Sequence, residues 1–387
     1  MKHKNIVIKS LALVTITTIL LTSYINIKAN KLDYSTGSNE MYYDMNTHEY
    51  YFYQLTSEID KENYRKIYEA LINLDTNLKL NNIQTFDKIS KLFTFVLNDH
   101  PEIFWVDNMI NTRIYISGNC TTNIKYNMTK EEIKEAQYEI DMFEMELKIK
   151  AIKRSMETYE KEVAIYDYIS KNIKYDEFHT WEDKDYSQGI YSVVKGKTVC
   201  RGYSLMFKYI CNKYNIPCIV IVGTNKPDVE STSKNNNHSW NEVMIDGEWY
   251  TVDITDSRKS VYKNQYFDTT FYKFNITTEN LLNIASINKG AIVPKCTSSK
   301  YDYYKQTDTY FEKVDLEKFK QLMNKRDKLN NNNHYLSIRC ANEEVFNKML
   351  KLIETEDISV WREELNRDIY IKDTYKDSDL YIIKVEW

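Results

Sequence analysis

The chain has 387 residues, 42% of them hydrophobic, with 8 glycines, 4 prolines and a formal net charge of −4. That is enough apolar material for two or three packed domains, and the scarcity of Gly and Pro is a compositional bias that says nothing about chemistry. An acidic balance without a basic tract sets nucleic acid aside as a partner.

Lys2, Lys4 and Lys9 precede an apolar run over residues 11–21 that continues to Ile27, the pattern of an export signal. Cleavage after Ala29 and retention as a membrane anchor both fit, because residues 11–27 are near the minimum length of a span. Membrane contact is expected only through that uncleaved run. Cleavage would remove four lysines and no acids, taking the formal charge from −4 to −8. In an exported chain, Cys120, Cys200, Cys211, Cys218, Cys296 and Cys340 invite disulfides. A free Cys200 would leave five, so one more stays unpaired. Cys211 and Cys218 lie among apolar residues and read as small buried hydrophobes. No spacing matches a zinc or calcium site, and neither a metal nor another cofactor is expected.

After a polar entry over residues 30–40, apolar positions recur at helical spacing: Tyr64, Ile67, Tyr68, Leu71 and Ile72 on one face, then Ile89, Leu92, Phe93 and Val96 on another. Pro101 closes the second helix, and residues 103–106 read as a buried strand or plug. Residues 112–117 and 122–126 flank Gly118-Asn119 and predict a hairpin. Thr129 and Glu132 have capping-box spacing and open a helix to about Lys153. A second helix follows over residues 159–172, with Val163, Tyr166, Ile169 and Ile173 on one side. Residues 177–188 read as a loop bordering a groove. The 33 tyrosines are taken as half-buried strand and helix positions.

From Cys200 the pattern is helical, with Tyr203, Met206, Phe207 and Ile210 on one face, so Cys200 falls in the first turn. Unpaired N–H groups and the positive dipole end there favour a thiolate. Arg201 is read as facing solvent. Residues 218–223 form a central strand. Two more strands, 239–245 and 248–255, flank the turn Asp246-Gly247. Pairing Ile245 with Glu248 sets Trp240 opposite Asp253 and His238 opposite Thr255, making His238 and Asp253 diagonal neighbours roughly 7–8 Å apart at the backbone. Thiol, imidazole and carboxylate in that order suit a nucleophile, its base and the group that orients the base.

Val199-Cys200-Arg201-Gly202-Tyr203, His238-Ser239-Trp240-Asn241-Glu242-Val243 with Asp246-Gly247-Glu248-Trp249-Tyr250, and Asp253-Ile254-Thr255 resemble the three signature blocks of the transglutaminase-like superfamily, over about residues 155–258. Asp256, where many members carry Trp, is a departure. The resemblance implies an α+β fold: a papain-like core whose Cys-bearing helix packs on an antiparallel sheet bearing His and Asp. It implies a Cys200, His238, Asp253 triad working through a thioester, by hydrolysis or acyl transfer. The backbone N–H of Cys200 is a natural oxyanion donor, with Gln188, Tyr191 and Trp240 as further oxyanion or substrate candidates.

Four regions are expected: the signal or anchor over 1–29, a mainly helical region with a hairpin over 30–128, the core over 129–285 and a small α/β unit over 299–387. In that last unit, helices over 315–324 and 343–353 and strands over 335–339, 369–371 and 380–386 are predicted. The expected partner is a protein or peptide substrate, of cell-surface or wall origin. The rival is a binding module that keeps the fold without catalysis.

Overall fold

The computed structural model describes residues 47–176, 188–226, 236–255, 271–288, 293–328, 335–355, 371 and 373–387. The export signal, the polar entry, nearly all of the 177–188 loop and Asp256 lie outside them.

Three helices, α1 (Tyr50–Tyr53), α2 (Glu58–Asn73) and α3 (Phe86–Asp99), form an N-terminal layer with a sheet of β1 (Asn77–Leu80), β2 (Val106–Ile114) and β3 (Cys120–Tyr126) in the order β1-β3-β2. The predicted hairpin is there, but its first arm starts at Val106 and ends before Tyr115, and β1 supplies an unpredicted third strand. Residues 103–105 are buried without being a strand. Helix α4 (Lys130–Ala151) starts on the Thr129–Glu132 capping box, with both reciprocal bonds made.

Next come α5 (Thr158–Asn172), β4 (Lys174–Tyr175), α6 (Ile190–Val194), β5 (Lys197–Thr198) and α7 (Cys200–Lys213). A five-stranded antiparallel sheet follows, made of β6 (Cys218–Asn225), β7 (Asn237–Ile245), β8 (Glu248–Val252), β9 (Phe274–Ile276) and, after α8 (Thr278–Ile284), β10 (Ala285–Ile287). Its order is β10-β6-β7-β8-β9, so β7 is central, and Gly223 and Ile221 of β6 face His238 and Trp240 of β7. Asp246 and Gly247 both have positive φ, 51° and 80°, as a type I′ turn requires. The turn sets Ile245 opposite Glu248, as predicted.

The ladder keeps the predicted register but stops short of the predicted length. It ends at Asn241 opposite Val252, so Trp240 and Asp253 never pair. Asp253 donates its N–H to Lys273 O at 2.9 Å, and its own Oδ1 accepts from Thr255 N at 3.1 Å. This side-chain turn bends the chain out of the strand.

The C-terminal part holds α9 (Tyr303–Gln306), β11 (Tyr310–Phe311), α10 (Leu316–Lys328), β12 (Tyr335–Cys340), α11 (Glu343–Thr355), β13 (Asp373–Asp377) and β14 (Ile382–Glu386), with sheet order β11-β12-β14-β13. Of the strand expected over 369–371, residues 369–370 lie outside the described residues and Ile371 is in no strand; β13 runs over Asp373–Asp377. The fold is thus α+β. Buried apolar side chains form two clusters, one shared by the N-terminal layer and the central sheet, the other around Phe319, Met349 and Ile383. Among the described residues, no helix is long and apolar enough to cross a membrane.

Candidate active site

Helix α7 begins abruptly. Val199 is its N-cap, at φ −102° and ψ 177°, with no side-chain cap, so the first turn's N–H groups have no intrahelical acceptor and Cys200 is the first helical residue. A Cβ on Gly202 would lie 1.9 Å from Thr198 Oγ1 and 2.9 Å from Ser192 Oγ. Only glycine lets β5 and α6 close this tightly around the start of the helix.

A polar seam fixes α7 over β7. Ser204 Oγ bonds Cys200 O at 3.0 Å and meets Ser239 Oγ at 3.2 Å, while Asn241 Nδ2 donates to Ser204 O at 2.9 Å and to Ile219 O at 3.2 Å. All three side chains are fully buried. Packing therefore brings the thiol to the strand that carries His238.

His238 Nε2 lies 2.8 Å from Asp253 Oδ2. That leaves Nδ1 as the nitrogen for Cys200, whose thiol is hydrogen-bonded by the imidazole and by the Ser239 backbone N–H. The three residues are 6%, 5% and 3% exposed, in the order Cys200, His238, Asp253.

Burial alone would push the Cys200 thiol up, but the imidazole's hydrogen bond and charge and the Ser239 N–H pull it below its ordinary value. Burial would lower His238; the charge and hydrogen bond of Asp253, with Cys200, raise it to about 10. Asp253 is depressed: burial opposes its ionisation, and His238 and Lys273 outweigh burial. Both shifts run in the direction that favours thiolate and imidazolium together. At Cys120, Cys211, Cys296 and Cys340 burial acts in the same direction and is not outweighed, so their thiols are all raised. All six cysteines are free.

The remaining predicted residues are placed as follows. Gln188 is 7% exposed, with Oε1 lacking a partner among the described residues, and leads into α6. The Tyr191 hydroxyl donates to Glu139 Oε1 of α4 at 3.1 Å, which commits it to that helix. Trp240 is 1% exposed, its ring 6.0 Å from the imidazole, and packs against Gly223. Arg201 corrects the solvent reading: it is 2% exposed, and Nη1 donates to Asn98 Oδ1 of α3 at 2.8 Å.

Ser204, Ser239, Asn241 and Lys273 were not singled out from sequence. The one available signal was Asn241, an Asn inside an otherwise strand-like run. Among the described residues, no group of three or more His, Cys, Asp or Glu could hold a metal ion.

Residues 146–254 match the model of the transglutaminase-like superfamily. The kyphoscoliosis peptidase of Mus musculus is 29% identical over 116 residues, which are 29% of this chain and 17% of that protein. Its Homo sapiens counterpart is 33% identical over 63 residues, 15% of this chain and 10% of that one. The chain thus spans under a fifth of the curated relatives it matches. A crystal structure of a TGase is 15% identical over 50% of this chain and 53% of its own, with a TM-score of 0.27, too loose to bear on the fold.

Proposed function

From a chain whose residues 146–254 belong to the transglutaminase-like superfamily, we propose an exported cysteine enzyme that acts on amide or peptide bonds through a Cys200 thioester. The observation that carries this is the 2.8 Å contact between His238 Nε2 and Asp253 Oδ2, beside a lowered-pKa thiol at a helix start.

The Cys200 thiolate attacks the carbonyl carbon, and the oxyanion that forms takes the Cys200 backbone N–H, with the Gln188 side-chain amide as second donor. The imidazolium of His238 gives its proton to the leaving amine as the C–N bond breaks. Asp253 holds the ring in the orientation that points Nδ1 at sulfur. Water or a primary amine then attacks the thioester, His238 takes the proton, and the thiolate departs. Hydrolysis is the favoured second step. A peptide or protein of the cell surface or wall is the substrate class, in line with relatives named as peptidases. Export rests on Lys2, Lys4, Lys9 and the apolar run that follows.

The test is mass spectrometry of a peptide and peptidoglycan-fragment library after incubation, with and without a primary amine. A loss of about 17 Da marks cross-linking, a gain of about 1 Da deamidation, and cleavage a protease, the three fates of a thioester. Wild type and Cys200→Ala leaving the same library unchanged would sink the assignment. Recovery of the chain only from the cytoplasm would sink the export part.

A further inference from the structure

Asp253 has a partner that the triad does not require. Lys273 Nζ lies 3.5 Å from Oδ2, the oxygen that also takes the imidazole at 2.8 Å, while Oδ1 accepts from Thr255 N. Lys273 O accepts the Asp253 N–H, so backbone and side chain converge on one residue. The lysine side chain is 13% exposed.

Segment 271–273 is held from the C-terminal part of the chain. Phe271 stacks on Tyr303 with ring centroids 3.8 Å apart and 5° between planes. Tyr272 stacks on Tyr375 of β13 at 5.6 Å and 6°. Its carbonyl accepts from the Arg339 guanidinium of β12, which is itself paired with buried Asp302. Asp377, at the end of β13, is pushed up by burial and drawn back by the N–H groups of Leu380 and Asp379 and by the charge of Lys273. Among the described residues, the ammonium thus pairs with Asp253 and acts by its charge on Asp377, one carboxylate from each part of the molecule.

We propose that Lys273 is a positioning residue of the site, held in place by the C-terminal α/β unit, and that it limits how strongly Asp253 grips the imidazolium. The proposal rests on the amide-bond reading above. A buried carboxylate facing only an imidazolium holds that proton tightly, and the proton must leave when the amine departs. An ammonium on the same oxygen keeps Asp253 ionised in either state of His238 and weakens its pull on the ring. Among the described residues, the charged and titratable groups around this pair are few. The imidazole meets Asp253 and Cys200 and lies near the Trp240 ring, and Arg201 acts on Cys200. Asp253 meets His238 and Lys273, with the Tyr166 hydroxyl on its carbonyl.

Alkylation of Cys200 by iodoacetamide, followed by peptide mass spectrometry across pH in the full chain, needs no substrate. The wild-type profile should show an upper step where the imidazolium deprotonates. Lys273→Met should raise that step by on the order of one pH unit, and Lys273→Arg should restore it. Asp377→Asn should lower it, because an ammonium relieved of Asp377 acts more strongly on Asp253. The asparagine Oδ1 can still accept from Asp379 N and Leu380 N, so this variant should fold. Opposite shifts are not expected of a lysine that only props the loop. An unmoved step in Lys273→Met and Asp377→Asn overturns the proposal, and if Lys273→Met fails to fold, Asp377→Asn decides alone. A wild-type Cys200 that alkylates like an ordinary thiol, with no upper step, overturns the amide-bond reading and this proposal together.

Discussion

Lys208 Nζ stands 3.8 Å from Asp99 Oδ1, and neither side chain reaches solvent. The pair fastens α7 to the N-terminal layer. Asp99 also accepts the N–H groups of Tyr51 and Phe52, both at 3.0 Å, and the Tyr64 hydroxyl at 2.8 Å. Removing one partner of a buried pair costs about 3–5 kcal/mol, because the other charge stays buried. Asp99→Ala should therefore lower stability by about that amount in urea unfolding. Lys208→Met should cost less, since the carboxylate keeps three donors. Equal costs would mean that the three other donors add nothing beyond the ammonium.

Asp253→Asn should leave the fold intact, because its Oδ1 can still accept from Thr255 N, yet it removes the charge that orients and raises His238. Activity on whatever amide substrate the library yields should fall by a factor on the order of 10²–10⁴. His238→Ala should fall at least as far. Circular dichroism and turnover on the same samples separate loss of chemistry from loss of fold.

Gly223→Ala should damage both sheet and site. The added Cβ would lie 2.2 Å from Ser286 O of β10 and 2.4 Å from the Trp240 ring, and backbone cannot step aside as a flexible side chain can. Overpacking of this kind costs about 1–3 kcal/mol. A displaced Trp240 no longer flanks the imidazole, so turnover should drop beyond what the lost stability explains.

Glu162 is fully buried on α5, and burial raises its carboxyl from 4.5 to about 8 despite a 2.9 Å bond from Asn275 Nδ2. Between those two values the unfolded chain has released a proton that the folded chain still holds. Stability from this group is thus full below about 4.5 and is lost as pH rises through about 8. Burial acts in the same direction on Glu242 and Asp99, and the depressed Asp253 acts oppositely at low pH. Glu162→Gln should flatten the decline and gain on the order of a few kcal/mol at alkaline pH. Urea midpoints of both proteins at pH 5 and pH 9 measure it, and parallel declines would rule Glu162 out as the source.

Local chemistry was readable from residues close in sequence. Thr129 and Glu132 sit three apart and make the predicted reciprocal cap, and Asp246-Gly247 has the conformations that its hairpin demands. Helix α7 starts at Cys200 and buries Tyr203, Met206, Phe207 and Ile210. What could not be read depends on partners far along the chain. Arg201 looked like a solvent-facing charge because its acceptor, Asn98, lies 103 residues away. The pairing of β1 with β3 and of β11 with β12 is likewise non-local. The ladder's early end at Val252 had a local cause, the Asp253 turn, yet the period-2 strand pattern alone carried the strand three residues too far, to Thr255. The Ser204, Ser239 and Asn241 seam uses residue types that are ordinary anywhere and become informative only when packed together.

The place of β7 at the middle of five strands, buried on both faces from His238 onward, has a kinetic consequence. Over residues 241–243 β7 is paired with β6 on one side and β8 on the other, so amide hydrogens there exchange only in openings close to global. His238 lies three residues from that clamped stretch on a strand that is buried throughout from His238 onward, so the strand has no cheap route to partial melting. Heat inactivation and loss of secondary structure are therefore expected to run together, with no warmer interval in which the chain stays folded but the base has come loose.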